Sequence, residues 1–121
     1  MNWQIAVVLL AVFAVFYFVK RAGQIPLDDA RAGLRAGALV IDVRSPAEFN
    51  SSHLPDAINL PLDGIESALP RRIPDKNQVL LLHCQSGMRS AAAAKKLKAM
   101  GYANAFNLGS YSRAASLRSG S

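Results

Sequence analysis

The segment Val79-Leu80-Leu81-Leu82-His83-Cys84-Gln85-Ser86-Gly87-Met88-Arg89-Ser90 carries the chain's one cysteine in a setting that can do chemistry. An apolar run of strand character leads into a short polar loop, and the alanine- and lysine-rich stretch after it is helical. Cys84 therefore falls at the carboxyl end of a buried strand, the edge at which ligands bind in open parallel sheets. A loop closing onto a helix N-terminus turns several backbone N–H groups toward one point, and such a point favours an anion. A thiolate there is stabilised by the amides, by the helix dipole and by Arg89, so its pKa falls and it becomes a nucleophile near neutrality. Gly87 lets the loop curl tightly. A lone cysteine at a strand end is ordinarily a small core residue. Here its neighbours favour the reactive reading, with Gln85, Ser86, Gly87, Met88 and Arg89 forming an anion cradle.

Few other side chains compete for a role. Asp42 and Arg44 end a neighbouring strand and face the same crevice, where they either support the loop or form a routine strand-end ion pair. Ser90 is placed to cap the helix and steady the loop. Glu48 is explained as the helix-cap partner of Ser45, and His53 as a hydrogen-bonded structural residue, so neither enters the catalytic set. His83 precedes Cys84 on a strand and points to the opposite face, which makes it a poor direct base. One cysteine and two histidines exclude an intramolecular disulfide framework and a structural zinc site. Neither a metal nor an organic cofactor is expected.

The elements that must hold this loop are legible as alternation. Strand-like apolar runs occur at Leu39–Val43, Ala57–Leu60, Val79–His83 and Ala103–Leu108, with Gln24-Ile25 as a further edge strand. Runs this short and this continuously apolar suit strands buried on both faces, which predicts a parallel α/β sheet of four to five strands with helices on both sides. Between them, Asp28-Asp29 opens a helix that Gly37 closes. Ser45-Pro46-Ala47-Glu48 has the spacing of a capping box with proline in the first turn, and Asp63 and Glu66 repeat that spacing. The clearest helix runs from about Arg89 to Met100, with lysines late and Gly101 after it.

The chain has 121 residues, 51% hydrophobic and 18% charged, with a net charge of +6. That balance excludes a disordered tail and a histone-like nucleic-acid binder, so no nucleic-acid partner is expected. The apolar excess is uneven. Trp3 to Val19 contains one polar residue, Gln4, and ends at Lys20-Arg21, which predicts a transmembrane helix using residues 3–19 as its membrane contact. The bulky Phe16-Tyr17-Phe18-Val19 and the uncharged start argue for a retained anchor over a cleaved leader, the alternative being an exported or periplasmic protein. Positive charge after the helix places the C-terminal domain in the cytoplasm. The expected organisation is an anchor with its basic flank at 1–23, a domain at 24–118 and a flexible tail at 119–121.

Two motifs resemble the rhodanese homology domain, over about Ile25 to Leu117. The first is Ile41-Asp42-Val43-Arg44-Ser45-Pro46-Ala47-Glu48-Phe49 followed by His53-Leu54-Pro55-Asp56-Ala57-Ile58-Asn59-Leu60-Pro61; the second is Cys84 to Arg89, in the family's Cys-x4-Arg loop, followed by Ser90-Ala91. Ser52 and Asp56 stand where the family usually has glycines, and Gly109-Ser110-Tyr111 where a glycine pair and later a tryptophan are common. The resemblance implies a rhodanese-like fold and sulfurtransfer. Cys84 attacks a small anionic sulfur donor such as thiosulfate and becomes a persulfide, which a thiol or thiol-protein acceptor then discharges. Arg89 complements the departing anion. A Cys-based phosphatase, which resembles His-Cys-x5-Arg, needs one more loop residue than the four between Cys84 and Arg89. The other alternative is a membrane-tethered, non-catalytic binding module on the same fold.

Overall fold

The computed structural model describes residues 2–119, with the side chains of 15–22 and 118–119 outside the described set. Along the chain come α1 (Trp3–Ala22), α2 (Leu27–Arg35), β1 (Leu39–Asp42), α3 (Pro46–Ser51), β2 (Ile58–Asn59), α4 (Ile65–Arg72), β3 (Leu80–His83), α5 (Met88–Ala99), β4 (Ala105–Gly109) and α6 (Tyr111–Ser119). The four strands form one sheet in the order β2-β1-β3-β4, every pairing parallel. Gln24-Ile25 does not add a fifth strand. It contributes one rung, from Ile25 N–H to the Asn107 carbonyl at 2.9 Å, because the Ile25 carbonyl is taken by the Arg113 guanidinium at 2.7 Å.

All four β3 residues are buried, as continuous apolarity requires of a central strand. Side-chain alternation sends Leu80, Leu82 and Cys84 into one core with Ile41, Ile65, Leu69, Ala93 and Leu97. Leu81 packs into the other with Ala30, Leu54, Leu108, Ala114 and Leu117. The helices α4 and α5 thus cover one face, and α2 and α6 the other. After β1 the chain goes outward to β2, then crosses back to place β3 on the other side of β1. Strand order reverses there, and the crevice at the carboxyl ends of β1 and β3 is where such sheets bind ligands.

Local chemistry accounts for the helix ends. α2 and α5 stop in the same way, with Ala38 N–H on the Gly33 carbonyl and Gly37 N–H on Leu34, then Tyr102 N–H on Leu97 and Gly101 N–H on Lys98. At α3 the capping box forms, Ser45 Oγ accepting from Glu48 N–H and the Glu48 carboxylate accepting from Ser45 N–H. The matching spacing at Asp63 and Glu66 makes no cap: Gly64 occupies the cap position of α4, and Glu66 pairs with Lys96 across to α5. The two departures in the turn after α3 are accommodated. Ser52 is extended, and Asp56 itself adopts the left-handed backbone at φ 66°, which aspartate tolerates better than most residues.

The expectation of a membrane anchor is overturned: among the described residues no helix is long and apolar enough to cross a membrane. Residues 15–19 of the expected span lie outside the described side chains. With the anchor go the single-pass membrane location, the cytoplasmic orientation derived from it, and the membrane as a partner through residues 3–19. Of the expected tail, Ser119 closes α6, while Gly120 and Ser121 lie outside the described residues.

Candidate active site

Cys84 follows β3 directly and is fully buried, its N–H donating to the Gly109 carbonyl at 3.2 Å. From there the loop turns sharply into α5. Gly87 takes φ 95° at the cap position, and a side chain on it would also meet the Gly109 backbone at 3.4 Å. That turn brings Gly87 N–H back to 3.0 Å from Cys84 Sγ. Gln85, Ser86 and Met88 are exposed on the solvent side of the loop, whereas the sulfur lies beneath it.

Burial alone would push the Cys84 thiol pKa up. The Ser90 hydroxyl and the N–H groups of Ser90, Gly87 and Ser86 outweigh it, and the pKa falls below the ordinary thiol value. Ser90 is not the helix cap; it sits inside the first turn of α5, fully buried, with Oγ 3.6 Å from Sγ. Its one proton has further acceptors in Asn107 Oδ1 at 2.7 Å and the Gly87 carbonyl at 3.1 Å. Ser90→Ala removes a donor from the thiolate, so the pH midpoint of thiolate ultraviolet absorbance is expected to rise above that of the wild type. With a single cysteine the signal has one source, and an unchanged midpoint would remove Ser90 from this role.

The back wall of the loop comes from residues that do not stand out in the sequence. Asn107 of β4 accepts from Gly109 N–H and donates to the Gly87 carbonyl, so it fastens the loop to β4 while orienting Ser90. Ser86 and Ser110 form an isolated bridge, and Tyr111 N–H donates to the Gln85 carbonyl. The one available signal was an asparagine interrupting an apolar strand. Gly109, at φ 105°, leaves room for the Gln24 amide, which would lie 3.0 Å from any added Cβ.

Arg89 is placed on the first turn of α5 but is not waiting for an anion alone. Its Nη1 and Nη2 lie 2.7 and 3.0 Å from the two carboxylate oxygens of Glu48, both side chains about one-third exposed. Glu48 is thus the cap partner of Ser45 and the partner of Arg89. The Arg89 guanidinium and the Ser45 hydrogen bonds hold its pKa down to about 2. The pKa of Arg89 is raised by Glu48 first and by Cys84 only secondarily.

Asp42 and Arg44 form the strand-end ion pair. Fully buried Asp42 accepts from Arg44 N–H at 2.9 Å and Nη2 at 2.8 Å, while the same Nη2 donates to the Ser52 carbonyl at 2.7 Å. The Arg44 guanidinium also stacks 4.6 Å from the Tyr111 ring centre. Their support is therefore to the turn after α3 and to the start of α6. His83 lies on that side, edge-on to Tyr111, with Nε2 3.9 Å from Asp42; burial lowers its pKa despite the carboxylate. His53 bonds the Phe49 carbonyl at 2.8 Å and stacks on the Phe49 ring. A groove of about 1610 Å³ outside β4, lined by Gln24, Pro26, Lys95 and Phe106 among others, does not include Cys84. Among the described residues no group of three or more His, Cys, Asp or Glu side chains could hold a metal ion.

A parallel sheet with a cysteine loop at its switch point defines an α/β protein whose single thiol lies beneath the loop that opens α5. Residues 26–115 match the rhodanese-like domain family. Thiosulfate sulfurtransferase PspE of Escherichia coli K12 is 36% identical over 69 residues, which is 57% of this chain and 66% of that protein. Thiosulfate sulfurtransferase GlpE of Pseudomonas syringae is 32% identical over 85 residues, 70% of this chain and 78% of that one. The solved structure of the human single-domain sulfurtransferase TSTD1 superposes with a TM-score of 0.68 at 30% identity, covering 78% of this chain and 96% of that one. The chain belongs to the rhodanese-like domain family, as a rhodanese-type sulfurtransferase.

Proposed function

We propose that the protein moves sulfane sulfur from a small anionic donor such as thiosulfate to a thiol acceptor through a persulfide on Cys84. The observation that carries this is the Cys84 sulfur itself, 3.0 Å from Gly87 N–H inside a loop that lowers its pKa. The thiolate attacks the outer sulfur of thiosulfate. A Cys84–sulfur bond forms, the donor's S–S bond breaks, and its electron pair leaves with sulfite. The terminal persulfide sulfur then carries the negative charge, and its stabilisation is assigned to the backbone N–H groups of Gln85 to Arg89, a reading supported by the Gly87 N–H already on Cys84 Sγ. An acceptor thiolate takes that sulfur and returns Cys84 to its starting form. Arg89 is assigned the departing anion, while Asp42, Arg44 and Ser90 keep the surrounding turns and loop in shape. Four residues between Cys84 and Arg89 leave the cradle one short of the phosphatase loop.

Intact mass spectrometry of the reduced protein with thiosulfate tests the reading. A gain of about 32 Da on Cys84, lost again on adding a thiol, is the expected result. No gain on folded, reduced protein would replace this function with that of a non-catalytic binding module.

A further inference from the structure

Glu48 neutralises the one cation of the Cys84 loop, and it does so from a fixed position. Its carboxylate is held by Ser45 N–H at 3.1 Å and Ser45 Oγ at 3.0 Å on the first turn of α3, so it meets Arg89 already oriented. Both outer nitrogens of the guanidinium are then engaged, at 2.7 and 3.0 Å. A donor entering over the loop therefore meets a neutral pair, with one negative end, rather than a bare guanidinium. Of the other nearby charges, Arg44 is matched by Asp42, and Arg113 directs its two terminal nitrogens to the carbonyls of Leu108 and Ile25. What favours an anion at the sulfur is the Ser90 hydroxyl together with the N–H groups of Ser90, Gly87 and Ser86. Dipoles of this kind hold one negative charge well, while a second charge on the donor gains little and feels the carboxylate.

We propose that Glu48 is a specificity-determining residue that biases the loop toward singly charged sulfane donors, such as organic thiosulfonates and alkyl persulfides, over doubly charged thiosulfate. This rests on the sulfurtransfer reading above. With a thiosulfonate the same balance holds: Cys84 bonds the terminal sulfur, the S–S bond breaks, and a sulfinate leaves with the electron pair. With an alkyl persulfide the leaving group is a thiolate. The carboxyl of Glu48 stays ionised through the working pH range, since its pKa is held to about 2.

The test compares kcat/KM for thiosulfate and for methanethiosulfonate in wild type and in Glu48→Gln. Glutamine preserves the capping box, because its carbonyl still accepts from Ser45 N–H, and it leaves Arg89 an acceptor while removing the charge. The thiosulfate-to-thiosulfonate ratio is expected to rise by about threefold or more, the scale of one charge acting on one extra charge across a partly hydrated site. Arg89→Gln, which leaves the carboxylate unanswered, is expected to lower the same ratio. A ratio that stays constant in both variants, or that moves in the opposite direction, overturns the proposal. Sulfur loading of wild-type Cys84 is scored separately by mass: if neither donor loads it, the transfer reading falls and this one with it.

Discussion

Cys84→Ser is expected to cut sulfur transfer by about three orders of magnitude or more while the fold survives. The serine hydroxyl fits the same space at the end of β3, next to Leu82 and Ala93, and accepts the Gly87 N–H in place of sulfur. What it lacks is an accessible anion. The donors that lower a thiol pKa into the useful range cannot bring a hydroxyl there, and oxygen does not form a displaceable persulfide. The chain has no second cysteine to carry the sulfur instead. Thiosulfate:cyanide turnover with a parallel thermal melt reads both halves of the expectation. Turnover that persists in the serine variant would sink the nucleophile assignment, and a melt unchanged from wild type would show that the loss is chemical.

The alternation of strands and helices was readable because buried parallel strands need continuous apolar runs: those at 39–43, 57–60 and 79–83 each contain an observed strand, and that at 103–108 covers all of β4 but Gly109. The loop was readable because its parts are contiguous: Cys84, Gly87 and Arg89 lie within six positions. What escaped was whatever needed a second segment. Glu48 and Arg89 are 41 residues apart, and the capping box already accounted for Glu48, so nothing in the pattern asked for another partner. Asn107 works as the fastening of the loop only because β4 lies next to β3. Asp63 and Glu66 had the right spacing for a cap, yet Gly64 takes that position and Glu66 bonds across to Lys96. The apolar run at 3–19 reads as a span by its continuous apolarity and its basic end, whereas among the described residues no helix is long and apolar enough to cross a membrane.

Breaking the Asp42–Arg44 pair is expected to have the largest effect on stability, and burial is the reason. Asp42 is fully buried and Arg44 only 4% exposed, so removing the carboxylate strands a guanidinium and its own backbone N–H away from water. Loss of one partner from such a pair costs about 3–5 kcal/mol. For a domain of this size each kcal/mol moves Tm by about 4–8 °C, so Asp42→Ala is expected to lower Tm by about 12 °C or more. Conversion of both partners, as Asp42→Ala with Arg44→Met, removes the stranded charge and is expected to recover part of the loss. The Glu48–Arg89 pair is the internal control. Its geometry is equally close, but both side chains are about one-third exposed, and water takes over when either partner is removed. Thermal melts of Asp42→Ala, the double variant and Glu48→Gln therefore separate charge burial from charge pairing. If Glu48→Gln and Asp42→Ala destabilise equally, burial is not what makes the Asp42–Arg44 pair structural.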